Sequence, residues 1–160
     1  MSQREPSYIA GVIRSSPRAS GFAIIISNDY DTTCGLATLK GTHKDSQRMD
    51  DTFKSLDIAT LKLSNITKPQ LIALLSQAAQ CKEYSEKSKC IAFVFSGHGL
   101  DSTQIYMQDG KLVHITNEII QPLLPSRAPH IGTIPKLFFI DACRGSKDIC
   151  RAPADRKSVV

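Results

Sequence analysis

Two short apolar runs each end in residues able to do chemistry: Ser96-Gly97-His98-Gly99 closes the first, and Asp141-Ala142-Cys143-Arg144-Gly145 closes the second. A thiol that attacks a carbonyl needs access to its thiolate, a proton carrier for the leaving group, and donors for the oxyanion. Cys143, just after a buried strand, is expected to be partly exposed at the tip, where a thiolate can be solvated or paired. His98, at the tip of a matching strand, can act as acid toward a leaving amine. The flanking glycines let backbone approach a substrate closely, which makes the amides of Gly99 and Cys143 natural oxyanion donors. A single His or Cys at a strand end is more often structural than catalytic. The two together, each in a glycine-flanked turn with the His upstream, point to a His/Cys nucleophilic dyad.

To bring these residues together, the runs that carry them must be neighbouring strands. Gly21-Phe-Ala-Ile-Ile-Ile-Ser27 is a continuous apolar, β-branched run of the kind buried on both faces of a sheet, and 90–96 and 136–141 repeat the pattern. Between the first two, Leu71, Leu74, Leu75, Ala78 and Ala79 fall on one helical face, with Thr67 as N-cap and Pro69 in the first turn. A second helix is predicted over 45–55, with Met49, Phe53 and Leu56 on one face, followed by a weaker strand over 57–63. A third helix is predicted from Thr116 onward, shortened or bent by Pro122, and Asp109-Gly110 marks a small hairpin. Strands alternating with helices define the α/β class, with a mainly parallel sheet covered on both faces. The functional crevice of such a sheet lies beyond the carboxyl ends of its strands, where both chemical motifs fall. Residues 1–17 and everything after Gly145 have weak periodicity. The expected organisation is a flexible segment over 1–17, a catalytic domain over 18–145, and a polar tail or inter-subunit linker over 146–160.

The bulk properties narrow the class further. A chain of 160 residues, 41% hydrophobic and 22% charged, builds one ordinary core without staples. No apolar run approaches the roughly 20 residues that span a bilayer, and the N-terminus lacks the apolar stretch of a secretory signal. The expectation is a cytoplasmic protein without a membrane partner. Five cysteines with no C-x-x-C pair argue against a disulfide framework and a zinc site. The net charge of +5 is scattered rather than gathered on one helix, which reads as a solvated surface and not a nucleic-acid site. No metal or other cofactor is implied, since Asp101 and Asp109 lack calcium-loop spacing.

At this point the residues resemble the caspase-like clan of cysteine peptidases. Asp141-Ala-Cys-Arg-Gly145 is similar to the caspase signature Q-A-C-[RQG]-G, with Asp141 in place of Gln. The resemblance runs from about Arg18 to Gly145 and includes Ala23-Ile-Ile-Ile-Ser-Asn28, Lys40-Gly-Thr-His-Lys-Asp45, Asn65-Ile-Thr67 and Ile105-Tyr-Met-Gln-Asp-Gly110. It implies a three-layer α/β/α fold, His98 and Cys143 as the dyad, and backbone amides of Gly99 and Cys143 as the oxyanion hole.

Three departures bear on specificity. Ser96-Gly97-His98-Gly99 carries a glycine that caspases lack and looks like paracaspases and metacaspases. The basic residue of the caspase Arg-x-Gly element falls on Leu39, with Lys40 one position late, and the Gln before the nucleophile is Asp141. A pocket that accepts aspartate must supply positive charge, and these changes make that arrangement repulsive. Asp141 and Asp45 suit a Lys or Arg side chain instead, with caspase-type cleavage after Asp as the alternative, and paracaspases, which cleave after arginine, resemble this sequence at both positions. The alternatives for these acids are an orienting hydrogen bond to nearby backbone for Asp141 and a helix N-cap for Asp45.

Caspases continue past this region with a small subunit. The resemblance therefore implies protein substrates, and either a small-subunit chain or a homo-oligomer at an open sheet edge. Two functions are consistent with the residues: a cysteine endopeptidase of cell-death or immune signalling, and a noncatalytic decoy or scaffold that pairs with a true protease.

Overall fold

The computed structural model describes residues 8–84 and 88–142. Its centre is a four-stranded parallel sheet of β1 (Gly21–Ser27), β2 (Ile58–Ser64), β3 (Ile91–Gly97) and β6 (Lys136–Ala142), in the order β2-β1-β3-β6. Every residue of β1 and β3 is buried, as expected of central strands covered on both sides. Phe22, Ile24 and Ile26 of β1, with Ile91, Phe93 and Phe95 of β3, point into the larger core. Helices α1 (Tyr8–Ser15) and α3 (Lys68–Gln80) complete that core through Ile9, Leu71, Leu74 and Leu75. The alternate residues Ala23, Ile25, Ala92 and Val94 meet Phe53 of α2 (Thr42–Ser55) on the other face. The three expected layers are present.

Local chemistry explains the element ends. Thr67 caps α3 and Gln70 accepts a hydrogen bond from the Thr67 amide at 2.8 Å, with Pro69 in the first turn where its missing N–H has no consequence. Helix α2 begins three residues before the predicted start because Gly41, at φ 104°, turns the chain into it. The hairpin of β4 (Gln104–Tyr106) and β5 (Leu112–His114) closes through Gly110 at φ 72°. The helix predicted from Thr116 is a π-helical turn, Ile115–Ile120, running into a 3-10 turn, Gln121–Leu123. Pro122 lies in the 3-10 turn and lacks the N–H an α ladder would need.

Two further expectations are corrected. Flexibility is expected over 1–17, yet Tyr8–Ser15 form α1, with Ile9 and Ala10 buried and Arg14 paired to Glu83 at 2.7 Å. Eight residues are too few for the helical period to stand out in sequence, and the helix exists through its packing. The run 136–141 is not buried on both faces: Leu137, Phe139 and Asp141 are exposed while the residues between them are half-buried. The cause is position, since β6 is the last strand among the described residues and α2 lies over β2 and β1.

The winding fixes where a site can form. From β1 the chain crosses to β2 on one side, then returns past β1 to β3 and onward to β6. The strand order therefore reverses between β1 and β3, and the crevice at such a switch point opens at their carboxyl ends. Those ends are Ser27-Asn28 and Gly97-His98. Among the described residues no helix is long and apolar enough to cross a membrane.

Candidate active site

His98 is the first residue past β3 and is buried, with 2% of its surface exposed. Its Nε2 lies 2.6 Å from the carbonyl oxygen of Ala37. A carbonyl only accepts, so Nε2 is the donor in this contact and Nδ1 is the ring nitrogen left to take part in proton transfer. Nδ1 is buried and has no hydrogen-bond partner among the described residues. A buried nitrogen of this kind is costly unless something outside those residues meets it.

The backbone around the ring is held from two sides. The His98 amide donates to the Tyr30 hydroxyl at 2.9 Å, and its carbonyl accepts from the Tyr106 amide at 2.9 Å. Gly99 bridges to Ile105 of β4, and the Leu100 amide donates to the Gln104 carbonyl at 3.0 Å. The hairpin thus pins the turn that follows the histidine. Just past β1, Asn28 is fully buried and clamps the end of that strand to the β2–α3 connection: its Oδ1 accepts from the Ile66 amide at 3.0 Å and its Nδ2 donates to the Ile66 carbonyl.

Cys143, and with it half of the expected oxyanion hole, lies outside the described residues. Its sequence neighbour Ala142 is the last residue of β6 and pairs with Gly97, the neighbour of His98. One step earlier in the same register, Asp141 pairs with Ser96.

Beside these strand ends a groove of about 470 Å³ opens between α2 and β6. Asp45, Arg48 and Met49 line it from the helix, Ser96 from β3, and Phe139 and Asp141 from β6. Both acids singled out in the sequence therefore border one space. Asp45 is not the helix cap, because Gly41 occupies that position and Asp45 lies within the first turn. Arg48 approaches Asp45 at 3.7 Å, with both side chains well exposed, an ion pair of little strength. Among the described residues, two carboxylates and one guanidinium line the groove, which makes that lining acidic. Leu39 does not line it: half-buried, it packs on Tyr30 and Leu36, and its amide donates to the Asp29 carbonyl at 2.7 Å.

Helix α2 is fixed over the sheet by Asp50, whose side chain is buried. Burial raises the Asp50 pKa, but hydrogen bonds from Lys54 and Thr60 and the charges of Lys54 and Lys62 outweigh it and hold the carboxyl below its ordinary range. Thr60 and Lys62 belong to β2, so this acid ties the helix that carries Asp45 to the sheet.

Sequence reasoning missed Tyr30, Ala37 and Arg48. Ala37 acts through its carbonyl, which side-chain type does not reveal, and Tyr30 sits in a loop that carries no periodic signal. The i, i+3 spacing of Asp45 and Arg48 on the predicted helix could have found the arginine.

A parallel sheet with helices on both sides and a buried histidine at its switch point define an α/β protein built around the ends of β3 and β6. Residues 20–159 match the family model described as the caspase domain, and the chain belongs to that family. It is 30% identical over 138 residues to caspase-10 of Homo sapiens, covering 86% of this chain and 26% of that relative. Against caspase-8 of Rattus norvegicus it is 30% identical over 142 residues, covering 84% and 28%. Against caspase-7 of Gallus gallus it is 32% identical over 133 residues, covering 79% and 40%. The chain thus spans well under half the length of these curated relatives.

Proposed function

We propose that the chain is the nucleophile-bearing part of a cytoplasmic cysteine endopeptidase that cleaves after Lys or Arg, in cell-death or immune signalling as the family implies. The observation that carries the reading is the His98 ring: Nε2 meets the Ala37 carbonyl, and the buried Nδ1 has no hydrogen-bond partner among the described residues. The reading also draws support from the register, since Cys143 directly follows Ala142, the residue that pairs with Gly97 beside His98.

In this reading Nδ1 takes the proton from the Cys143 thiol as sulfur attacks the scissile carbonyl. The oxyanion is met by the amides of Gly99 and Cys143. The imidazolium then returns its proton to the leaving amine, and a thioester remains on sulfur. Water, deprotonated by the same Nδ1, hydrolyses the thioester and releases the acid product and the thiol.

The acidic groove supports a basic residue before the cut. A substrate aspartate would enter beside Asp45 and Asp141 with Arg48 as the one offsetting cation among the described lining residues, and like charges in one site oppose binding. The small-subunit or self-association reading draws support from β6, whose outer edge has no strand beside it among the described residues and whose Leu137 and Phe139 are 42% and 44% exposed. Fluorogenic peptides ending in Arg, Lys or Asp, tested on the wild-type protein and on Cys143→Ala, decide the matter. Turnover of basic peptides that vanishes with the thiol is expected. Preferential Asp turnover overturns the specificity, and turnover or biological activity indifferent to Cys143 overturns the peptidase reading in favour of a scaffold.

A further inference from the structure

Tyr30 lies two residues past Asn28, at φ 58°, a left-handed conformation that a bulky residue adopts only when its surroundings impose it. Here they do. The Gln108 side-chain oxygen accepts from the Tyr30 amide at 3.2 Å, and the ring is buried to 2% exposure among Leu36, Leu39 and Tyr106. The result is a hydroxyl delivered to one point: it accepts from the His98 amide at 2.9 Å and donates to the Tyr106 carbonyl at 2.6 Å. The same aromatic ring lies against the imidazole, with centroids 4.7 Å apart and planes tilted by 36°.

The hydroxyl also accounts for the glycine that distinguishes Ser96-Gly97-His98-Gly99. A Cβ at position 97 would stand 2.5 Å from the Tyr30 oxygen and 2.7 Å from the Phe95 ring. Only a residue without a side chain lets the tyrosine reach the His98 amide.

We propose that Tyr30 is a positioning residue for His98. It acts on three things the imidazole needs: the place of its backbone, through the hydroxyl; the plane of its ring, through the stacked contact; and the loop that carries the Ala37 carbonyl, through Leu36 and Leu39. The Tyr106 carbonyl ties this arrangement to the β4–β5 hairpin, so His98, the hairpin and the 30–39 loop move as one unit. The proposal rests on the reading of His98 as the proton carrier for its effect on turnover. Its effect on the ring itself does not depend on that reading.

The test compares wild-type protein, Tyr30→Phe and His98→Ala, with peptide turnover and the imidazole nitrogen NMR signals of His98 as separate readouts. Tyr30→Phe keeps the ring and removes the hydroxyl. It is expected to lower kcat about 10- to 100-fold with KM within about twofold, as a small misplacement of a reacting group does. It is also expected to replace the single Nε2-protonated form by a mixture of tautomers. Should Tyr30→Phe fail to fold, Gln108→Ala, which loosens Tyr30 without touching the histidine, is expected to shift the same signals in the same direction. A folded Tyr30→Phe with wild-type kcat and an unchanged tautomer overturns the proposal. If His98→Ala keeps full turnover, the dyad reading fails, and the nitrogen signals of Tyr30→Phe then decide the positioning role alone.

Discussion

Asp45 and Asp141 border the same groove from different layers, one in the first turn of α2 and the other one step before the end of β6. Two separate elements thus converge their negative charge on one space near the ends of β3 and β6, with Arg48 3.7 Å from Asp45. Removing either charge is expected to weaken a basic substrate and spare a neutral one. Asp141→Asn and Asp45→Asn should each reduce kcat/KM for an Arg peptide about 5- to 50-fold, mainly through KM, as loss of one ion-pair partner does. Parallel kinetics with a Gln peptide check this; equal losses on both peptides would point to general damage instead.

Asp50 holds α2 on β2, and its lowered pKa sets the sign of a pH effect. A carboxyl whose folded pKa lies below its unfolded value adds stability at neutral pH, where both states are ionised. That contribution disappears as pH falls through the folded pKa. Asp50→Asn is expected to cost about 1–3 kcal/mol at pH 7 and to flatten the acid limb of the stability curve. Urea titrations of both proteins at pH 7 and pH 3 measure the difference, which should shrink at the lower pH.

At position 97, any side chain collides with Tyr30 and Phe95. Gly97→Ala should cost about 1–3 kcal/mol through overpacking and lower turnover beyond what the loss of folded protein explains. Thermal melts together with active-site titration separate the two effects.

Buried Cys81 and half-buried Cys90 are expected to stand apart from Cys143. Burial pushes the Cys81 thiol up to about 11, and burial also raises Cys90, so both are almost wholly protonated at pH 7.5. Iodoacetamide followed by peptide mapping should label them at least tenfold more slowly in the folded protein than after denaturation. Fast labelling of Cys81 in the native state would contradict its placement.

Strands β1 and β3 were legible because central strands of a covered sheet must be apolar at every position, and helix α3 because its spacing, cap and proline agree. Strand β6 misled for an instructive reason. Leu137 and Phe139 carry the composition of a doubly buried strand, yet in this structure one face of β6 stays open, since burial depends on what lies beside a strand as well as on what it contains. Helix α1 was invisible because Ile9 and Ala10 draw their burial from β2 and α3, which are distant in sequence. Among candidate site residues, those acting through side-chain chemistry (His98, Asp45, Asp141) could be picked out by type. Asp45 also shows the limit: a cap role reads equally well until Gly41 is seen to start the helix.

The contact between His98 Nε2 and the Ala37 carbonyl has a consequence for mutational scanning. Every residue type supplies the same main-chain oxygen, so the determinant of the imidazole's protonation pattern is blind to the genetic code at its own position. Point substitutions at 37 would score as silent, whereas a one-residue deletion or insertion between Gly35 and Gly41 would move the oxygen away. Ala37 would then count as dispensable in a substitution map and indispensable in an indel map.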